Sequence, residues 1–195
     1  MNRRSFLHTS TLSAASIGAL SVSCSPIAAL SDRPSDQTYM GDFSAKPLEI
    51  VRAAFIGLGY RGKGHLEFFA TLEGTEVVAL SDLYADNIDK SLEILKEANR
   101  DTEGVGRYSG SETAWKQMLS EVRPDVVFIS TNWINHAPMA IESMRSGAHA
   151  FVEVPLATSI DELWDIVNTS EQTQKHCMMM ENVNYSRDEL MFLNM

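Results

Sequence analysis

Three glycines in the sequence have the spacing of a dinucleotide-binding loop. Gly57, Gly59 and Gly62 form the pattern G-x-G-x-x-G and follow the short apolar run 51–56. The first glycine of this pattern permits a tight turn, the second lets the backbone approach a pyrophosphate, and the third lets the next helix pack against the strand. The pyrophosphate then lies on N–H groups at the positive end of that helix. The alternative is a glycine-rich turn that binds no ligand.

An acidic residue follows the next apolar run at the distance that this loop requires. Asp82 comes after the run 76–80, and a carboxylate at this place accepts hydrogen bonds from the ribose hydroxyls of a bound adenosine. It would repel a 2′-phosphate, so the sequence predicts NAD rather than NADP as the cofactor. Arg61, inside the glycine loop, would offset part of that repulsion. The alternative for Asp82 is a helix-capping role in a loop.

Further candidate contacts with the cofactor follow the later strands. Trp133 and His136 come just after the run 125–130, where the nicotinamide half of the cofactor is expected to pass. The alternatives are a packing role for Trp133 and a place beside a helix cap for His136. Asn182 offers a carboxamide to ribose or nicotinamide, or is a simple turn residue. The predicted cofactor-binding residues are Gly57, Gly59, Tyr60, Arg61, Gly62, Asp82, Trp133, Ile134, Asn135, His136, Glu153, Val154 and Asn182.

These residues need a scaffold that brings the ends of several strands together. Apolar runs alternate with amphipathic helical segments along residues 50–185, which predicts the α/β class: a doubly wound parallel sheet, the Rossmann arrangement, with right-handed crossovers. Ligands bind such sheets at the carboxyl ends of the strands, near the point where the strand order reverses. The predicted strands are 51–56, 76–80, 125–130, 149–154 and 176–181, with 104–108 as a weak strand or a loop.

Local signals mark where several helices begin. Ser109 with Glu112, and again Ser159 with Glu162, have the S-x-x-E spacing of a capping box at a helix start. Pro138 is expected to open a short helix, because the first helical turn does not need the N–H that proline lacks. The sequence therefore predicts helix starts near these three places.

The amino terminus has the composition of an export signal. Arg3 and Arg4 precede a mildly apolar stretch, and residues 1–29 contain no acidic residue. Adjacent arginines followed by Phe-Leu predict a twin-arginine signal over 1–29, hence export to the periplasm, and a linker over 30–49. The alternative is a disordered tail. Cys24 is either a site for a lipid anchor or an incidental cysteine in a removed peptide.

The composition argues against several classes of protein. The 195 residues include 16 Lys and Arg against 26 Asp and Glu, and this net charge of −10 disfavours binding to nucleic acid. No apolar run reaches the roughly 18 residues that a transmembrane segment needs. Two cysteines are too few for a disulfide framework or a four-thiolate zinc site, and no metal site is predicted.

Several longer strings carry a family resemblance over residues 50–195. The glycine loop, Asp82, the segment 131–138 and the turn 153–155 together resemble the Gfo/Idh/MocA family of nicotinamide-dependent sugar oxidoreductases. Three longer strings are YSGSETAW (108–115), GAHAFVEVP (147–155) and QKHCMMMENVNY (174–185). They resemble one branch of that family, glycoside hydrolase family 109, which acts on α-N-acetylgalactosaminides and many of whose members carry a twin-arginine signal.

The resemblance implies a glycosidase that uses NAD. Bound NAD⁺ would take hydride from the carbon 3 hydroxyl of the sugar, and a base would then remove the acidified proton at carbon 2. The aglycone would leave from carbon 1, and addition of water with return of the hydride would complete a net hydrolysis. The implied partners are α-N-acetylgalactosaminide glycans. Whether the full-length protein forms a homo-oligomer is left open.

Two departures from the wider family bear on function. Most dehydrogenase members have Glu-Lys-Pro where this sequence has Glu153-Val154-Pro155, and valine cannot donate to a substrate hydroxyl. Members also have a further α+β domain with the substrate-binding and catalytic residues. We therefore expect residues 186–195 to begin that domain, and the catalytic residues to lie beyond Met195. Three functions are left open: the glycosidase, an NAD-linked sugar dehydrogenase, and a non-catalytic nucleotide-binding fragment.

Overall fold

A computed structural model describes residues 38–182 and 186–193 of the chain. The predicted export signal at 1–29, with Cys24, lies outside the described residues, as does the first part of the predicted linker. Residues 38–50 form no helix or strand. Within the described ranges, no helix combines the length and the apolar character needed to cross a membrane.

The strands form one fully parallel sheet in the order β3-β2-β1-β4-β5-β6. The order reverses between β1 and β4, so the loops after these two strands open a crevice at their carboxyl ends. This arrangement confirms the predicted doubly wound α/β fold, and the segment left open as a weak strand or a loop forms the short strand β3. The strands are β1 (Val51–Ile56), β2 (Thr75–Ser81), β3 (Gly106–Tyr108), β4 (Val126–Ile129), β5 (His149–Val152) and β6 (Cys177–Met179).

Helices connect the strands and cover both faces of the sheet. Buried side chains of α1 and α2, among them Leu66 and Leu95, pack with Phe55 of β1 in one cluster. Helices α3, α4 and α5 pack on the other face around Ile129 of β4. Because both faces are covered, residues 53–56 of β1 and all of β4 are apolar. The helices are α1 (Tyr60–Ala70), α2 (Ala85–Glu97), α3 (Ala114–Val122), α4 (Trp133–Arg145), α5 (Ile160–Thr173) and α6 (Arg187–Leu193).

One of the two predicted capping boxes is confirmed and the other is wrong. The Ser159 side chain accepts from the N–H of Glu162, whose carboxylate accepts in return from the N–H of Ser159, so α5 begins as predicted. Before α3, however, the cap residue is Thr113, without a side-chain cap bond. The hydroxyl of Ser111 accepts from the Thr113 N–H instead, so a local turn replaces the Ser109 box.

The predicted role of Pro138 at a helix start is also wrong. Helix α4 begins five residues earlier, at Trp133, and the side chain of Asn132 caps it by accepting from the N–H of Asn135 at 3.2 Å. Pro138 lies inside the helix and cannot donate to the carbonyl of Ile134 four residues before it. Ile134 is 74% exposed, so water can satisfy that carbonyl. An Asn cap therefore overrides the proline signal.

Candidate cofactor-binding site

A cleft of about 340 Å³ opens at the carboxyl ends of the strands where the strand order reverses. We call it the switch-point cleft. Three segments build it: the glycine loop after β1, the turn after β2 and the loop after β4, with the start of α3 closing one side. Among its lining residues are Gly57, Gly59, Asp82, Leu83, Tyr84, Asn87, Ser111, Glu112, Trp115, Ser130, Thr131, Asn132 and Asn135.

Each glycine of the loop is required for a different steric reason. Gly57 has φ of +85°, a left-handed conformation, and a Cβ there would lie 2.6 Å from the carbonyl oxygen of Ser130. A Cβ on Gly62 would collide with the carbonyl oxygen of Gly57, so α1 can approach β1 only because this residue has no side chain. A Cβ on Gly59 would point into open space in the cleft. The first and third glycines therefore shape the protein, and the second leaves room for a ligand.

Asp82 lies at the floor of the same cleft and is held by three protein donors. Its Oδ2 accepts from the N–H of Leu58 at 2.7 Å, which ties the turn after β2 to the glycine loop. Its Oδ1 accepts from the N–H of Tyr84 at 2.9 Å and from the amide of Asn87 at 3.1 Å. A carboxylate has about four acceptor positions, so capacity for a further donor is left. Asp82 does not cap α2, whose cap residue is Tyr84 without a side-chain bond.

Arg61 and Glu153, both predicted cofactor contacts, are bonded to each other. The guanidinium donates to Glu153 Oε1 through Nε at 3.0 Å and Nη2 at 2.9 Å. His65 places Nε2 2.6 Å from the same oxygen. The guanidinium is therefore engaged at the end of β5. Its expected role of offsetting the Asp82 charge is not supported by this placement.

The surroundings of Glu153 favour its ionised form. Burial of the side chain acts to raise the pKa of this carboxyl. The hydrogen bond from His65, the charge of Arg61 and the N–H of Val154 act in the other direction and together lower the pKa below its ordinary value. Because the carboxylate is negative at neutral pH, the group is a strong acceptor at the end of β5.

The remaining predicted contacts have varied positions. Asn135 lines the switch-point cleft. Tyr60 is 92% exposed and Trp133 is 64% exposed at the first turns of α1 and α4, while Ile134 beside Trp133 and Val154 after β5 are also exposed. Asn182 is exposed in the turn after β6. Their contacts with a cofactor stay predictions.

His136 is buried rather than open to the cleft. Its side chain is 1% exposed, with Nδ1 2.7 Å from the carbonyl oxygen of Pro155 and Nε2 3.2 Å from that of Thr131. The ring thus connects the loop after β4 to the turn after β5, a structural role. The predicted contact of His136 with the cofactor stays a prediction.

Several cleft residues were missed in the sequence. Ser130, Thr131 and Asn132 follow β4 directly, and Trp115 lies at the start of α3. A strand end was a usable signal for the first three, because parallel strands bring their carboxyl ends to one edge. Trp115 carried no such signal, since only the tertiary fold brings α3 to the cleft.

The described residues fit NAD on steric and electrostatic grounds. Helix α1 has no side-chain cap at Gly59 and no acidic residue in its first turn, so its first N–H groups can receive a pyrophosphate. Gly59 leaves the space for that approach. Ser130 Oγ is buried in the cleft wall and has no hydrogen-bond partner within the described ranges. The cleft thus provides donors for phosphate and, at Asp82, an acceptor for ribose hydroxyls.

Comparison with known proteins agrees with this chemistry. The chain is 52% identical over 164 residues to glycosyl hydrolase family 109 protein 2 of Akkermansia muciniphila, an alignment that covers 84% of this chain and 34% of that protein. It is 46% identical over 198 residues to a glycosyl hydrolase family 109 protein of Shewanella pealeana, covering 100% of this chain and 42% of that protein. The chain thus spans well under half the length of these curated relatives.

Solved structures and a family model agree on the fold. The WlbA dehydrogenase of Bordetella pertussis, solved with NADH and UDP-GlcNAcA, matches with a TM-score of 0.61 at 20% identity, over 73% of this chain and 40% of that one. Scyllo-inositol dehydrogenase of Lactobacillus casei, solved with NAD(H) and scyllo-inositol, matches with a TM-score of 0.57 at 20% identity. This match covers 67% of this chain and 36% of that one. Residues 51–181 match the model of the oxidoreductase family GFO_IDH_MocA, NAD-binding Rossmann fold. The chain therefore belongs to the Gfo/Idh/MocA oxidoreductase family, and residues 51–181 are its NAD-binding Rossmann domain.

Proposed function

We propose that this chain provides the NAD-binding part of a glycosidase that hydrolyses terminal α-N-acetylgalactosaminides. Similarity to proteins named glycosyl hydrolase family 109, over 84% and 100% of the chain, supports the substrate class. The observation that carries the choice of reaction is Val154, an exposed valine two residues after the end of β5. A side chain without a proton to donate there favours a reaction other than simple alcohol oxidation.

The residues of this chain have binding and orienting roles in the proposed reaction. Bound NAD supplies a reversible hydride acceptor, so that oxidation at carbon 3 of the sugar acidifies the proton at carbon 2 and permits loss of the aglycone. The glycine loop and the start of α1 hold the pyrophosphate, and Asp82 holds the adenosine ribose. The turn at Glu153 and Val154 would contact the nicotinamide half.

An NAD-linked sugar dehydrogenase is the second candidate. The solved structures that share this fold include dehydrogenases of a sugar nucleotide and of an inositol, which keeps that reaction class open. A dehydrogenase releases reduced cofactor at each turnover, whereas the proposed glycosidase regenerates NAD. The two candidates therefore differ in a directly measurable product.

The test uses the full-length counterpart with a chromogenic α-N-acetylgalactosaminide in deuterated water. We expect release of the aglycone without net NADH absorbance, and deuterium at carbon 2 of the released sugar. Retention of the original hydrogen at carbon 2 would exclude the elimination route. Accumulation of NADH in step with sugar consumption would establish the dehydrogenase instead.

We also propose that the protein is exported to the periplasm by the twin-arginine route. Arg3 and Arg4 at the head of an acid-free segment support this proposal. That route carries folded proteins, so NAD could be bound in the cytoplasm before export. Replacement of both arginines by lysine should keep the unprocessed protein in the cytoplasm, as measured by fractionation. Unchanged export of that variant would contradict the proposal.

A further inference from the structure

Two side chains of one helix converge on a single carboxylate oxygen. Arg61 donates to Glu153 Oε1 with two nitrogens, at 3.0 Å and 2.9 Å, and His65 approaches the same oxygen with Nε2 at 2.6 Å. Residues four apart lie on the same face of a helix, so α1 directs both groups to one point. His65 is thus part of the surroundings of a residue at the end of β5.

This contact bridges the sheet across strand β4. Helix α1 follows β1, Glu153 follows β5, and β4 lies between these two strands. A dinucleotide crosses the sheet edge where the strand order reverses, which here is between β1 and β4. Asp82 follows β2 on the far side of that point and marks the adenosine half. The contact of α1 with Glu153 therefore lies on the side of the nicotinamide half.

Glu153 is held at one oxygen and has acceptor capacity at the other. Its side chain is 9% exposed, and Oε1 receives the groups of Arg61 and His65. Among the described residues, Oε2 accepts only the N–H of Val154, at 3.2 Å. A carboxylate has about four acceptor positions, so Oε2 can accept from a ligand. Because α1 fixes Oε1, it also sets the direction of Oε2.

We propose that His65 is a positioning residue for the nicotinamide–ribose half of NAD and acts through Glu153. The inference rests on the proposed function in taking NAD as the cofactor. His65 holds the Glu153 carboxylate and the turn at Val154 in a single arrangement before the cofactor binds. Because no ordering of the turn is then needed on binding, a ligand that reaches the turn binds more tightly. A ligand that ends at the pyrophosphate does not reach the turn and gains nothing from His65.

The test measures the affinities of NAD and ADP for the 195-residue chain by calorimetry. ADP contains the adenosine and the two phosphates but lacks the nicotinamide–ribose half. His65→Leu removes the nitrogen donor at similar volume, and His65→Gln keeps a donor that can reach Glu153. His65→Ala is the second deletion variant should the leucine disturb folding, which circular dichroism and melting temperature report. Glu67→Gln, an exposed change on the same helix, is the matched control.

We expect His65→Leu to weaken NAD binding about tenfold, because a Glu153 that is no longer held in place loses about one hydrogen bond to the ligand, with ADP affinity within about twofold of the unchanged chain. His65→Gln should recover most of the NAD affinity, and Glu67→Gln should alter neither ligand. If His65→Leu lowered the affinities for NAD and ADP equally, His65 would have a merely structural role. If it changed neither affinity, His65 would have no role in binding. Either result overturns the inference. If the chain without substitutions bound neither NAD nor ADP, the proposed function would be overturned as well.

Discussion

Asp82 both shapes the glycine loop and offers an acceptor to the ligand. Its carboxylate binds the N–H of Leu58 in the glycine loop and the N–H of Tyr84 in its own turn, so it helps to shape the loop that receives the pyrophosphate. The same residue lines the cleft, so its remaining acceptor capacity is available to a ligand there. A substitution at Asp82 therefore removes a ligand contact and loosens the glycine loop at once. Variants must separate these effects.

We expect Asp82→Ala to weaken NAD binding by about 1–3 kcal/mol, as for a lost hydrogen bond to a charged group. Asp82→Asn keeps an oxygen acceptor but removes the charge, so it should weaken NAD less and reduce the discrimination against NADP. Calorimetric titration with both cofactors measures these differences. Asp86→Ala, in the exposed first turn of α2, is the control. Unchanged NAD affinity in Asp82→Ala would remove this residue from the site.

Glu153 should make stability depend on pH in the acid range. Because its pKa is lowered in the folded chain, its contribution to the free energy of unfolding is present above the unfolded pKa of about 4.3 and is lost as the pH falls through the lower folded value. We expect Glu153→Gln to be less stable by about 1 kcal/mol at pH 7. In urea denaturation this difference should shrink below about pH 4. A difference independent of pH would contradict the ionised contact with Arg61 and His65.

At the scale of elements, the start of α1 is where folding and binding requirements meet. Gly62 allows the helix to approach the carbonyl of Gly57, and Gly59 leaves the approach to the first turn open. Both glycines belong to one motif, yet the fold requires a glycine only at position 62, whereas the glycine at position 59 is needed for the ligand. The structure therefore predicts opposite consequences for the same substitution at two positions three residues apart.

We expect Gly59→Ala to fold with a stability change within about 0.5 kcal/mol, because its Cβ meets open space. Its NAD affinity should fall at least about tenfold, because the methyl group takes the place of the pyrophosphate. Gly62→Ala should instead lower stability by about 1–3 kcal/mol through overpacking against Gly57. Thermal melts and NAD titrations of the two variants check the pair. Comparable stability losses in both would mean that Gly59 is also a structural glycine.

The sequence predicted strands better than helix starts, for a physical reason. A buried parallel strand such as β1 is largely apolar, and the predicted span 51–56 agrees with Val51–Ile56. Helix starts depend on which of several neighbouring polar side chains captures a free N–H. Asn132 rather than Pro138 marks the start of α4, and Thr113 lies at the start of α3. Only the Ser159 box, with both reciprocal bonds, was clear enough to predict.

The site could be predicted in part. The motif glycines and Asp82 could be predicted from the sequence, because their spacing is tied to local strand–turn–helix geometry. The contact of His65 with Glu153 was not, since these residues are far apart in the sequence and meet only after β5 is placed beside β4. The contacts of the His136 ring with the carbonyls of Pro155 and Thr131 were likewise not predictable, and its contact with the cofactor stays a prediction.

At the scale of the whole molecule, the described chemical groups serve one purpose. The cleft residues, Asp82 and the contact at Glu153 all lie at the carboxyl edge of a single sheet. They supply donors and acceptors for a dinucleotide. The curated relatives are more than twice as long as this chain, which spans 34% and 42% of them in the two alignments given above. Cofactor binding and sugar chemistry can therefore be tested separately.

We expect the 195-residue chain to bind NAD and to show no glycosidase turnover. Catalysis requires base, cofactor and sugar in one near-attack geometry, and that geometry is worth roughly 7–11 kcal/mol of the barrier. The described residues that meet at the cleft account for the cofactor alone. Calorimetry with NAD and a chromogenic α-N-acetylgalactosaminide measure the two properties on the same preparation, with the full-length counterpart as the positive control. Hydrolysis by the 195-residue chain at an enzymatic rate, abolished in Asp82→Ala, would show that the catalytic groups lie within this sequence.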